Sequence, residues 1–170
     1  MKYKEKTINK NAIYLIIVES PSKCSKIEHF LGKDYRCIAS MGHLRNLSGL
    51  SSINTKGNFE PTFSLIEEKK KHIFKMQGII QQFIPENVIL ASDDDREGEA
   101  IAWHICEIFS LPIEKTKRII FHEITKEAIL DAIENPTTVN MNLVQAQHAR
   151  QILDIICLLY TSPSPRDTSS

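Results

Sequence analysis

Short apolar runs alternate along this chain with longer stretches in which apolar residues return every three or four positions. The alternation predicts strands and helices in turn. Residues 13–18 are continuously apolar, end in Glu19, and predict a first buried strand. Ser20-Pro21 then offers a helix N-cap and a proline at the first helical position. The helix that follows carries Cys24, Ile27 and Leu31 on one face and stops at Gly32. Residues 35–40 predict a second strand. Residues 41–61, rich in Gly, Ser and Asn, predict a long loop of the kind that is usually functional or disordered. A helix over 65–83 would point Ile66, Ile73, Met76, Ile80 and Phe83 at the core and leave Lys69-Lys70-Lys71 mainly on the solvated side. Residues 88–92 predict a third strand, and 97–109 a helix with Ile101, Ile105 and Ile108 inward. Residues 118–121 predict a fourth strand. Thr125 caps a short helix over 126–134, which ends before Asn135-Pro136, and a last helix runs over 141–156. Strands alternating with helices in this way predict an α/β fold with a mostly parallel sheet covered on both faces.

The 170 residues suffice for one domain with a core and a small appendage. Hydrophobic residues make up 42% and charged residues 25%, which is ordinary for a globular protein. With 21 basic and 21 acidic residues the formal net charge is zero, so any nucleic-acid contact has to come from a local basic surface. The four cysteines are widely spaced and form no CxxC pair. That argues against structural zinc and for a reducing, intracellular setting. No apolar stretch reaches the roughly 20 residues that a membrane span needs, and the lysine-rich start is not followed by an apolar segment suited to secretion.

Chemistry concentrates in one place. Asp93, Asp94, Asp95, Glu97 and Glu99 put five carboxylates within seven residues, directly after the apolar run 88–91. Each carboxylate raises the pKa of its neighbours, and a divalent cation removes the conflict. Hard oxygens at a strand end suit Mg²⁺, which takes one or two carboxylates and fills its shell with water and phosphate. Ligands of parallel α/β sheets gather at the C-terminal strand ends. Two strands here end in acids, Glu19 and the Asp93 group, and placing those strands side by side would bring the acids together. Strand alternation turns Asp94 away from Asp93 and Asp95. Glu99, in the first helical turn, complements the helix dipole. His104 and His122 are expected to be structural, and Trp103 to pack in the core. Arg150 and Asp154, four apart on one helix face, read as an ordinary intrahelical ion pair.

Five ordered blocks resemble the Toprim domain of type IA DNA topoisomerases. They are Val18-Glu19-Ser20-Pro21-Ser22-Lys23, Gly42-His43-Leu44-Arg45-Asn46-Leu47, residues 93–104, Phe121-His122-Glu123-Ile124-Thr125-Lys126, and Gln147-His148-Ala149-Arg150 with Asp154. The first block is closer to the topoisomerase I branch than to topoisomerase III. The resemblance implies a Toprim-type, Rossmann-like fold over 13–135, preceded by a polar lead (1–12) and followed by the first helix (136–156) of a helical, DNA-binding domain. It implies Mg²⁺ held by Asp93, Asp95 and Glu97, with Glu19 beside the scissile phosphate as proton donor or metal-shell group. Lys23 would neutralise charge at the phosphate, and Arg96 would contact phosphate or tie the acids in place. His43, Arg45, Arg150 and Asp154 would meet DNA. The activity implied is relaxation of supercoils, without ATP, through a transient single-strand break held as a 5′-phosphotyrosine.

The chain also departs from the family. After Asp154 the family continues with an arginine and then Gly-Tyr, whereas this chain reads Ile155-Ile156-Cys157-Leu158-Leu159 and runs into a Ser/Pro-rich end. Residues 157–170 read as a non-native tail. Gln151 stands where the family carries a second arginine. None of Tyr3, Tyr14, Tyr35 and Tyr160 matches the context of the nucleophile, which the family places in a later domain. The expectation is a metal-binding part that is inactive alone and completed by further domains of the same enzyme. The competing readings are another Toprim enzyme, primase- or nuclease-like, and a receiver-like regulatory domain. The latter lacks a clear phosphoacceptor aspartate and late-strand lysine here.

Overall fold

The molecule is built around a sheet of four parallel strands in the order β2-β1-β5-β6, seen in a computed structural model that describes residues 11–161. Those strands are β1 (Tyr14–Val18), β2 (Tyr35–Ala39), β5 (Val88–Leu90) and β6 (Lys117–Arg118). β1 lies between β2 and β5, with Ile17 opposite Ile38 on one side and Leu90 on the other. The chain moves outward from β1 to β2, then returns to β1's other edge with β5 and continues to β6. The reversal between β1 and β5 opens a crevice at their C-terminal ends, where such sheets bind ligands. Adjacency of the two acid-ended strands, expected above, is what the structure has.

Side-chain alternation divides the core in two. On one face, Leu15, Ile17, Val88 and Leu90 meet Ile73, Met76 and Ile80 of α2 (Lys70–Ile80) and Ile101 and Ile105 of α3 (Arg96–Ile108). On the other, Ile16, Val18, Cys37 and Ile89 meet Cys24 and Ile27 of α1 (Cys24–Leu31) and Ile129 and Ala132 of α4 (Lys126–Glu134). All of these side chains are buried, so both sheet faces are dry, as parallel sheets require. A final helix, α5 (Met141–Thr161), packs against α3.

Several elements differ from the sequence reading. Residues 41–61 are not simply a loop. β3 (Arg45–Asn46) pairs antiparallel with β4 (Ser64–Leu65), and Ile53 bridges Pro61, making a small antiparallel ribbon. Because Ser64 and Leu65 join this ribbon, α2 starts later than position 65, after a single 3₁₀ turn at Glu67–Lys69. Lys69 does not face solvent alone: its ammonium donates to the carbonyl of Met41, and a His72 ring nitrogen meets the carbonyl of Ala39 at 2.7 Å. Ser20 makes no side-chain cap bond. Pro21–Lys23 form a 3₁₀ turn before α1, and the Ser20 hydroxyl bonds that of Ser22 at 2.8 Å. Gly32 ends α1 as expected, at φ 84°. β6 is shorter than 118–121, spanning Lys117–Arg118, and on its other edge Arg118 bridges Thr137, exchanging both backbone hydrogen bonds at 2.8 Å.

The last helix continues past Ile156 to Thr161, since nothing before Pro163 interrupts it. Of the segments expected to be a polar lead and a non-native tail, residues 1–10 and 162–170 lie outside the described residues. Among the described residues, no helix is long and apolar enough to cross a membrane.

Candidate active site

Glu19, Lys23 and Asp93 meet where β1 and β5 end. Glu19 is the first residue after β1, Lys23 closes the 3₁₀ turn that follows, and Asp93 stands three positions after β5. The Lys23 ammonium donates to Asp93 Oδ1 at 3.0 Å, and the Asp93 backbone N–H donates to Glu19 Oε1 at 2.7 Å. One residue is thus held by its side chain from the helix side and by its backbone from the neighbouring strand, although 70 and 74 positions separate it from these partners.

Burial raises the Glu19 carboxyl above its ordinary range, opposed by the Asp93 N–H bond and by Lys23, and reinforced by the negative charges of Asp93 and Asp95. Glu19, Asp93 and Asp95 therefore form an acidic group in mutual repulsion with a single lysine to relieve it. Glu97 and Arg96 are exposed in the first turn of α3 and make no described contact with Glu19 or Lys23. Asp94 turns outward to the ring of His122, 3.6 Å away, on the surface.

The turn that presents these acids is held from below. Asp95 is the N-cap of α3, its Oδ1 accepting from the Gly98 N–H at 2.6 Å. Ser92 donates its hydroxyl to the Gly98 carbonyl at 2.6 Å. A Cβ at Gly98 would stand 2.0 Å from the carbonyl oxygen of Asp93, so only glycine lets the start of α3 come this close.

Under the turn lies an ion pair the sequence reading missed. Glu99 does not merely complement the helix dipole. It is 2% exposed and accepts from Arg118 Nε at 3.0 Å, while its other oxygen accepts from the Asn140 N–H at 3.0 Å. Arg118, fully buried, also donates to the carbonyls of Ser92 at 2.6 Å, Asp93 at 2.7 Å and Ile119 at 3.3 Å. One guanidinium therefore holds the acidic turn by its backbone. The signal was in the sequence: an arginine inside a run ending Arg118-Ile119-Ile120-Phe121 has to find a partner once the strand is buried.

The residues expected to meet DNA lie elsewhere. Met41 and Gly42 both have positive φ, 58° and 85°, and this reversal turns the chain into His43, which is partly exposed. Arg45 faces inward. Its Nε–H donates to His104 Nδ1 at 2.9 Å, and its guanidinium lies 5.2 Å from the Trp103 ring centre and 5.7 Å from that of Phe63. Trp103, His104 and Phe63 meet one another and His148 of α5 in tilted and edge-to-face contacts, the ring centres 4.6–5.9 Å apart. His104 is 3% exposed, a structural role as expected, and burial, Arg45, His148 and His43 together push it down to about 3. It is neutral, as an acceptor for Arg45 must be. Trp103 is partly buried and packs against the core. His122, expected to be structural, is exposed, its Nε2 3.6 Å from Asp94 Oδ2. Arg150 and Asp154 are exposed on α5 and form no ion pair with one another.

Among the described residues, no group of three or more His, Cys, Asp or Glu stands ready to enclose a metal ion. The donors present fit a different mode: oxygen ligands only, in mutual repulsion, at an open strand end, which suits Mg²⁺ completed by water and phosphate.

A parallel sheet that reverses at β1/β5, with glutamate after one strand and Asp-x-Asp after the other, defines a Toprim-class α/β domain. Residues 14–124 match the Toprim domain, and the chain belongs to that family. Among solved structures it is similar to full-length topoisomerase I from Thermotoga maritima, at 40% identity and a TM-score of 0.76. That match covers 84% of this chain but 24% of the other, so this chain spans about a quarter of the protein it resembles. The resemblance to the Toprim domain of type IA topoisomerases is borne out.

Proposed function

We propose that this chain is the metal- and phosphate-handling part of a type IA DNA topoisomerase. The observation that carries the reading is the contact of Lys23 with Asp93 at 3.0 Å beside Glu19, at the sheet's switch point. Asp93, Asp95, Glu97 and Glu19 would hold Mg²⁺, which when bound supplies positive charge to a phosphodiester. Lys23, which donates to Asp93 here, would offer its ammonium to a phosphate oxygen as a point charge. Burial raises the Glu19 carboxyl above its ordinary range, which favours its role beside the scissile phosphate as proton donor to the departing 3′ oxygen or as a metal-shell group. Arg96, at the rim, contacts phosphate.

His43, Arg45, Arg150 and Asp154 would guide a single-stranded segment of DNA, with Arg45 acting through the placement of the 41–49 loop. The nucleophilic tyrosine belongs to a part of the enzyme that this chain does not include. In this reading 13–135 is the Toprim domain, 136–156 begins a helical DNA-binding domain, 157–170 is a non-native tail, and the enzyme works inside the cell.

Calorimetric titration of the chain with MgCl₂, with and without a single-stranded oligonucleotide, tests the site. Binding should weaken at least tenfold in a D93N/D95N variant, and supercoiled plasmid should stay unrelaxed. Unchanged Mg²⁺ affinity in that variant would overturn the metal assignment. Relaxation would overturn the incompleteness of the active site, and hydrolysis of the oligonucleotide to free ends would place the chain with nuclease-like Toprim enzymes.

A further inference from the structure

α2 carries its apolar residues Ile73, Met76 and Ile80 into the core. Phe74 points away from them and is 80% exposed, more than any other large apolar side chain described. A lone exposed apolar residue is ordinary, but the company of this one is not. Lys70 and Lys71 precede it by one turn, Lys75 follows it, and all three are exposed. Helical side chains lean towards the N-terminus, so a side chain at position 78 would lie over Phe74. That position is Gly78, where even an added Cβ would meet nothing within 4 Å. The ring therefore has cations one turn before it and open space one turn after. Lys70 also contacts Glu67 at 2.7 Å, but both side chains are exposed, 53% and 80%, so water screens the pair and a stronger anion can replace it.

We infer that this face of α2 is a platform for single-stranded nucleic acid, on which a base stacks against Phe74 and the flanking phosphates meet Lys70, Lys71 and Lys75. The chain has no net charge, so the basic character is local to this face. An exposed aromatic ring among cations is the pairing that holds single strands, because every base offers a flat π-face and every linkage a charge. An acidic peptide would find the charges but no groove in which to bury side chains on one convex helix. A membrane surface calls for a broad apolar face, and the apolar face of α2 is spent on the core. The location also fits a strand that continues from the acid site. Lys69 and His72 tie the first turns of α2 to the carbonyls of Met41 and Ala39, where β2 ends, and β2 runs parallel to β1. The choice of nucleic acid deepens the topoisomerase reading and rests on it for the identity of the polymer.

The test uses the 170-residue chain in EDTA, which keeps divalent ions off the acids, with a fluorescein-labelled oligothymidylate read by anisotropy. F74A should weaken binding about tenfold, and F74W should restore it. K71Q should weaken binding and make the log–log salt dependence shallower by about 0.7. The F74A loss should recur on the D93N/D95N background, so it survives a failure of the metal assignment. An oligonucleotide carrying 5-iododeoxyuridine should crosslink under ultraviolet light to the peptide that contains Phe74. Equal binding by F74A and the parent chain, or crosslinks confined to other peptides, would overturn the platform. So would an F74A loss that F74W fails to restore, the mark of a structural role, or one that vanishes on the D93N/D95N background, which would place the strand at the acid site. Binding of polyglutamate or of phosphatidylglycerol vesicles that depends on Phe74, with oligonucleotide binding unaffected by F74A, would assign the face to an acidic peptide or a membrane instead.

Discussion

Two ion pairs flank the acidic turn at the same separation, and they do opposite work. Arg118–Glu99 and Lys23–Asp93 are each 3.0 Å long, but the side chains of the first are 0% and 2% exposed, those of the second 30% and 49%. In the buried pair every described oxygen of Glu99 has a donor, and Arg118 spreads further hydrogen bonds over three backbone carbonyls. Such a pair holds geometry, and breaking it leaves a charge stranded in a dry interior. In the exposed pair, water screens the attraction and offers both groups an alternative at little cost. Distance alone does not separate a brace from a contact ready to be exchanged; solvent does.

The largest effect should come from breaking the brace. R118M, which strands Glu99, is expected to destabilise the chain by about 3–5 kcal/mol, measured by urea unfolding. The double change R118M/E99L should recover most of that loss, and equal losses in single and double variants would end the distinction drawn here. Next comes G98A, which forces a Cβ into the Asp93 carbonyl. A loss of about 2 kcal/mol or more is expected, together with faster amide exchange at Asp93.

A third, smaller effect is read through pH. Folding holds His104 at about 3 against an ordinary 6.5. Its contribution is therefore fully present above pH 6.5 and fades as pH falls towards 3, because the unfolded chain binds the proton first. Replacing His104 with Gln, which keeps an acceptor for Arg45, should flatten the fall in stability between pH 6.5 and 4; an unchanged slope would refute the assignment. The smallest effect belongs to the exposed pair. K23A should change stability by less than about 1 kcal/mol while weakening oligonucleotide binding. A stability loss to match R118M would erase the contrast.

Glu19 adds a sign of its own. Its carboxyl is raised in the folded chain, so its contribution to stability is greatest below its unfolded value near 4.5 and is lost as pH rises through the folded value. E19Q keeps an acceptor for the Asp93 N–H and removes the repulsion. It should not lower stability at pH 7, as measured by urea unfolding.

How much of this was legible in sequence depended on the range of the interaction. β1, β2, β5 and the helices α1, α3 and α4 announce themselves through local periodicity, and Thr125 caps α4 as its position suggests, accepting from Ala128 N–H. The acidic turn after β5 was legible because like charges crowded after a buried strand demand a reason. The β3/β4 ribbon was not, because two-residue strands carry no period and their pairing spans a loop. Arg118 and Glu99 were invisible as a pair: each was visible alone, but only the fold brings a β6 arginine beneath an α3 carboxylate. The cluster of Arg45, Phe63, Trp103 and His148 was hidden for the same reason, being gathered from four separate segments.

The placement of β1 between β2 and β5 also bears on how the molecule is made. As the chain leaves the ribosome, β1, α1 and β2 are complete long before residue 88 appears, so this first unit can close on itself while one edge of β1 stays bare. That edge presents Leu15, Ile16 and Ile17 and unpaired backbone groups, which is the form of surface that joins neighbouring chains. The seam at which the candidate site later assembles is thus also the nascent chain's point of greatest exposure to aggregation, and the arrival of β5 closes both at once.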